Sequence, residues 1–347
     1  MRRLAVVALA AALAAASPST AAQRRPDPMR EKQWGLDAID AGRAHSRSTG
    51  RGVVIAIVDT GVDLAHPDLK AKLVPGYDAT APSSPPVDHH GHGTMVAGIA
   101  AASTLNGIGI AGVAPDARIM PIKVLRPDGR GSLTDLAEGI VWAADHGADV
   151  INLSLGLSTG IAPPDLPASS PVDPLDPIRE AIAHAWQRGA VVIASAGNTS
   201  VPTCTSPATE KYAVCVGAVD RRNLRSYYSQ GDATEQHDEY LVAPGGSSFG
   251  LYEGQEYAVG GDEDILSTVA RGSDGDYGPD PGYAYGAGTS MSAPFVSGVA
   301  ALLVAQGLTN QQVVDRLKAT ATDLGVPGRD GVYGYGLVNA ARAVGAR

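Results

Sequence analysis

The chain has 347 residues, 44% of them hydrophobic and 18% charged, with a formal net charge of −9. That aliphatic content excludes a disordered chain, and with no Lys/Arg run longer than two residues nothing tracks a phosphate backbone, which excludes nucleic acid as a partner. The 42 glycines and 24 prolines follow no G-X-Y period, so collagen is excluded and the glycine belongs to turns and close backbone approaches.

Residues 1–22 read as a secretory signal peptide: Met-Arg-Arg, an apolar stretch from Leu4 to Ala16, and a small-residue site at Ala21-Ala22. The apolar stretch is too short to cross the ~30 Å of bilayer hydrocarbon. No membrane anchor is therefore expected, and the mature protein is placed outside the cell. A short extension, 23–32, follows, and 33–347 reads as one domain with neither linker nor internal repeat.

Continuous apolar runs at Val53–Val58, Ile119–Val124, Val150–Leu153, Ala190–Ala194 and Ala213–Val219 predict strands buried on both faces. Helical spacing appears between them at Thr94–Ala102, Leu133–His146 and Asp176–Arg188, the last two stopping at Gly147 and Gly189. This alternation predicts an α/β fold, a doubly wound and mostly parallel sheet flanked by helices. Ser158–Pro177, with six prolines, reads as a surface loop, and Gly245–Asp264 and Gly272–Gly282 read as irregular. Cys204 and Cys215 are expected to form a disulfide in an exported protein, with two buried free thiols as the alternative.

Four segments carry chemistry. Asp59 ends the first strand before Thr60-Gly61, where open α/β sheets place ligands. His92 stands in His90-Gly91-His92-Gly93-Thr94 at a helix start. Asn198 closes Ser195-Ala196-Gly197-Asn198 after a strand, where its amide can donate to an oxyanion. Ser290 lies in Gly288-Thr289-Ser290-Met291-Ser292-Ala293-Pro294, a glycine-rich turn into a helix with Pro294 expected in the first turn. His89, His90 and His92 suggest a metal cluster, but no pair has the i, i+4 spacing of a helical zinc site. The α/β-hydrolase elbow G-x-S-x-G is absent around Ser290.

The order Asp…His…Ser, together with Asp59-Thr60-Gly61-Val62, His92-Gly93-Thr94, Asn152-Leu153-Ser154-Leu155-Gly156 and Gly288–Pro294, resembles the subtilisin-like serine proteases, the subtilase family. The resemblance implies a secreted serine endopeptidase that acts on polypeptides as a monomer and needs no catalytic cofactor. Asp59, His92 and Ser290 would form the triad, and Asn198 the oxyanion hole. Gly129, Gly131 and Ser132, opposite Ser154, Leu155 and Gly156, would flank an extended substrate. Met95 stands where many relatives carry a second histidine, and a specificity pocket rebuilt around Cys204–Pro207 leaves side-chain preference open. The extension 23–32 is too short for the family's inhibitory pro-domain. The resemblance also implies a structural calcium site at Asp68 and the loop Leu105–Ile110, a dry turn being the equal alternative. Asp274, Asp276 and Asp280 read as a solvated acidic loop, with calcium binding as the alternative.

Overall fold

The computed structural model describes residues 25–346 except 157–160, 163–172, 234–237, 248, 253–254, 259–260 and 274–281. The signal peptide, most of the proline-rich loop and the three aspartates of 274–280 therefore lie outside the described residues.

In chain order, α1 (Trp34–Ala38) and α2 (Ala41–Ala44) precede β1 (Val54–Asp59), β2 (Tyr77–Asp78), α3 (His92–Ala101), β3 (Arg118–Lys123) and β4 (Gly131–Ser132). Next come α4 (Leu133–Asp145), β5 (Val150–Leu153), β6 (Ile161–Ala162), α5 (Asp176–Gln187), β7 (Val191–Ser195), β8 (Ala213–Val219) and β9 (Tyr240–Pro244). A hairpin of β10 (Phe249–Tyr252) and β11 (Gln255–Ala258) leads to β12 (Ile265–Thr268) and β13 (Tyr283–Gly286). The chain closes with α6 (Thr289–Val304), α7 (Asn310–Thr320) and α8 (Ala340–Ala343).

Seven strands form one parallel sheet in the order β2-β3-β1-β5-β7-β8-β9. From β1 the chain builds outward to β2 and β3, then returns past β1 to β5 and builds the other way. The reversal falls between β1 and β5, and ligand crevices in such sheets form at the carboxyl ends beside that point. All five expected strands are present, each within a residue of its expected bounds, because a strand covered on both faces must be apolar throughout. Their residues are buried almost without exception.

Helices α4 and α5 pack together, as do α3 and α6. Helix α5 buries Ile178, Ala181, Ile182 and Ala185, one face of a 3.6-residue period. Helix α6 is buried almost all round and runs beneath β5, β7, β8 and β9, so its small residues replace a polar face. Gly147 and Gly189 end α4 and α5 at φ 84° and 93°, as the sequence suggests.

Two readings need correction. The stretch Gly245–Asp264 is not irregular throughout, since β10 and β11 pair antiparallel there. The proline-rich stretch holds the short strand β6, which pairs parallel with β4. Neither has an apolar run or strict alternation to betray it. The strands β9, β12 and β13 add to the expected set, and β9 is a continuous buried apolar run like the five expected ones.

Candidate active site

Asp59 ends β1 with no solvent exposure. A carboxylate is tolerated there only because donors meet it. His92 Nδ1 lies 2.7 Å from Oδ1 and 2.9 Å from Oδ2, and the Thr60 N–H donates to Oδ1 at 2.7 Å. An ionised carboxylate can only accept, so Nδ1 carries the imidazole proton and Nε2 is the basic nitrogen.

Helix α3 begins at His92 itself, two residues before the expected start at Thr94. Gly91 has no side chain with which to cap it, and Asp88 supplies the acceptors instead. Its Oδ1 accepts the N–H groups of His90 and Gly91, both at 2.9 Å. Its Oδ2 accepts the Thr94 N–H at 2.9 Å and the Thr94 hydroxyl at 2.6 Å. A carboxylate in this place also complements the helix dipole. The Thr60 hydroxyl donates to Asp88 Oδ1 at 2.8 Å and accepts the Gly93 N–H at 2.9 Å. The strand end that carries Asp59 is thereby fastened to the helix start that carries His92. Gly93 leaves no slack between them, since a Cβ there would stand 2.2 Å from the Gly61 carbonyl oxygen.

Ser290 is the second residue of α6. Pro294 lies inside that helix, not in its first turn as the sequence suggests. Its missing N–H deprives the Ser290 carbonyl of its usual helical donor, and the Ser154 hydroxyl donates to that carbonyl at 2.8 Å instead. The Ser290 hydroxyl in turn donates to the Ser154 carbonyl at 3.2 Å. Asn152 Nδ2 holds the Ser154 hydroxyl at 2.9 Å, and the Ser297 hydroxyl holds Asn152 Oδ1 at 2.8 Å. The nucleophile candidate and the Ser154–Gly156 segment are thus stitched together.

Asn198 follows β7 on the same rim. Its Oδ1 accepts the N–H and the hydroxyl of Thr289, both at 2.9 Å. A main-chain N–H can only donate, so this pairing forces the orientation of the amide and leaves Nδ2 as its donor end. Gly197 N–H adds a bond to the Thr289 hydroxyl at 3.1 Å.

Gly129 takes φ 73° in a turn closed by its N–H on the Arg126 carbonyl at 2.9 Å. Gly131 bridges Leu125, and Ser132 caps α4 by accepting the Asp135 N–H at 3.0 Å. Ser154, Leu155 and Gly156 are buried just beyond β5. Cys204 and Cys215 form a disulfide that ties the loop after Asn198 to β8. His90 and His92 meet edge to face at 6.3 Å, and among the described residues no three metal-capable side chains converge.

Asp68 is fully buried and accepts from Asn106 Nδ2 at 2.7 Å, the Tyr283 hydroxyl at 2.8 Å and the Ile110 N–H at 3.1 Å. The neighbouring Asp27 accepts the N–H groups of Leu105 and Asn106 at 2.8 and 3.0 Å. The loop carbonyls of Leu105 and Gly109 are taken by the N–H groups of Arg25 and Met29. Calcium needs six to eight converging oxygens, whereas this loop turns its N–H groups to the carboxylates of Asp27 and Asp68. The donor set therefore does not fit the ion, and Asp68 acts here as a hydrogen-bonding anchor. Burial and the adjacent Asp68 carboxylate push the Tyr283 hydroxyl pKa up, so it remains a donor. Asp68→Ala is expected to lower stability by about 3 kcal/mol by orphaning buried donors, read from denaturant unfolding. Melting curves with and without a calcium chelator are expected to coincide.

Thr60, Asp88 and Thr289 belong to this site although sequence reading passed over them. None of them left a usable sign: Asp88 stands three residues before the N-cap position Gly91, outside the spacing that cap rules inspect.

Residues 50–336 match the family model described as the subtilase family. The chain is 37% identical to subtilisin BL of Lederbergia lenta, aligning over 89% of this chain and 97% of that protein. It is 36% identical to thermitase of Thermoactinomyces vulgaris over 90% and 96% of the two chains. Against a thermophilic serine proteinase of Bacillus sp. (strain AK1) identity is 38%, and the chain spans 62% of that protein's length. Among solved structures, a protease from Pseudoalteromonas arctica superposes with a TM-score of 0.76 at 32% identity, over 93% of this chain and 99% of that one.

Proposed function

The chain belongs to the subtilase family and is a subtilisin-like serine endopeptidase, and on that premise we propose that Asp59, His92 and Ser290 perform the hydrolysis as a triad. His92 Nε2 takes the Ser290 proton as the hydroxyl oxygen attacks the scissile carbonyl, and later returns it to the leaving amine. Asp59 holds the imidazole by Nδ1 and stabilises the imidazolium. The Ser290 N–H and Asn198 Nδ2 receive the oxyanion of each tetrahedral intermediate, and water then releases the acyl group. The observation that carries this reading is the two-oxygen grip of buried Asp59 on His92 Nδ1, at 2.7 and 2.9 Å.

The substrate is a polypeptide in extended form, lying along Gly129, Gly131 and Ser132 on one side and Ser154, Leu155 and Gly156 on the other. Main-chain pairing of this kind tolerates many sequences. Residues 33–347 act as one peptidase domain, working as a monomer outside the cell after export by residues 1–22. Among the described residues no helix is long and apolar enough to cross a membrane.

A fluorophosphonate probe should label the protein once, at Ser290, as read by peptide mass mapping. Labelling and peptide hydrolysis should fall together on the acid side, because a protonated His92 cannot accept the serine proton. A rate maximum near pH 4 would contradict the histidine base.

A further inference from the structure

Behind Asp59 and His92 stands a buried ammonium that the proposed chemistry leaves unused. Lys123 closes β3 opposite Asp59 in the strand register, and 5% of it is exposed. Its Nζ donates to the Thr60 carbonyl at 2.7 Å and to the Leu125 carbonyl at 2.8 Å. Thr60 is the hub between Asp59 and the His92 helix; Leu125 bridges Gly131 on the substrate edge. One side chain therefore fastens the Asp59 turn to the segment along which substrate would lie.

Charge is also concentrated here. Asp59 from β1, Asp78 from β2 and Asp88 from the loop before α3 face the ammonium, and all three are buried. Helix α4 presents Gly139 to this end of β3, against Ile122 and Val124. Burial pushes the Lys123 pKa down, while Asp88, Asp78 and Asp59 pull it back up. Packing alone would be served by an apolar side chain at smaller desolvation cost. What the position uses is the positive charge and the two donors.

We infer that Lys123 is a positioning residue for the hydrolysis proposed above: its charge opposes proton uptake by the Asp59–His92 pair, and its donors hold the Asp59 turn in register with the substrate edge. The inference rests on the triad reading. It distinguishes Lys123 from a merely structural lysine because it ties the residue to the shape of the pH profile.

The test is the pH dependence of kcat/KM on a chromogenic peptide for Lys123→Met, Lys123→Arg and Asp78→Asn. Without the ammonium His92 binds its proton more readily, so K123M should move the acid limb up by about 0.5 pH unit. Its kcat/KM should fall about tenfold through lost alignment. K123R keeps the charge and should return the acid limb to the wild-type position. Asp78→Asn removes charge while Oδ1 keeps the hydrogen bonds it accepts from Thr80 and Ala81. Lys123 then surrenders its proton at lower pH, and the alkaline limb should move down. A K123M acid limb coincident with wild type overturns the inference. If K123M does not fold, an unmoved alkaline limb in D78N overturns it. Hydrolysis that survives Ser290→Ala would instead overturn the triad reading on which it depends.

Discussion

Replacing Ser290 by alanine should lower kcat by about six orders of magnitude while KM changes little. In the proposed mechanism Ser290 forms the acyl intermediate, so its loss removes the covalent step itself. Alanine fits the position: the hydroxyl donates to the Ser154 carbonyl at 3.2 Å, a long bond whose loss costs little. The main-chain carbonyl of residue 290 would still accept the Ser154 hydroxyl, since that contact does not involve the side chain. The fold should therefore survive, and the loss should be chemical. Residual turnover would come from the oxyanion donors and substrate alignment acting on water. Steady-state kinetics of purified S290A with a peptide anilide, beside its unfolding curve, provide the check. Wild-type turnover by S290A would remove the serine mechanism, whatever the family resemblance.

Asn198→Ala should cost about 10²–10³-fold in kcat, again with little change in KM. The asymmetry follows from when the contact forms. In the proposed oxyanion hole a ground-state carbonyl gains little from Nδ2, whereas an oxyanion gains a charge-assisted bond. Thr289 supplies a second probe, because its hydroxyl and N–H hold the amide from behind. Thr289→Val keeps the N–H bond and removes the hydroxyl. It should lower kcat by about tenfold through loosened aim rather than a lost donor. A KM rise with unchanged kcat in either variant would show that the amide binds substrate and not the transition state.

Much of this site was legible before any coordinates. Asp59 and Asn198 end apolar runs, and Ser290 sits between a glycine turn and a helix, so each announces a strand end or helix start. Ser154 and Thr289 were present in the quoted motifs, yet nothing in their neighbourhood reveals that one replaces the helical donor lost at Pro294 and the other aims an amide. Those roles depend on partners 136 and 91 residues away. Asp68 shows the reverse failure. Its place in the family pattern suggested a cation ligand, but the Ile110 N–H, the Asn106 side-chain amide and the Tyr283 hydroxyl occupy it. Which groups a loop turns inward is decided by backbone torsions that residue types do not disclose.

By itself, then, the sequence determined the fold class and five of the buried strands, and it supplied the chemical groups proposed for the site. Apolar periodicity and turn residues are local physics, and a buried parallel strand has few compositions open to it. Tertiary structure alone decided how those groups are aimed: the pairing of His92 Nδ1 with Asp59, the orientation of the Asn198 amide, the cap of α3 by Asp88, and the Lys123 side chain behind Asp59. Each depends on a hydrogen bond whose partners are distant along the chain. Such a bond exists only once the sheet has set strand ends side by side and burial has made an unpaired polar group too costly to leave.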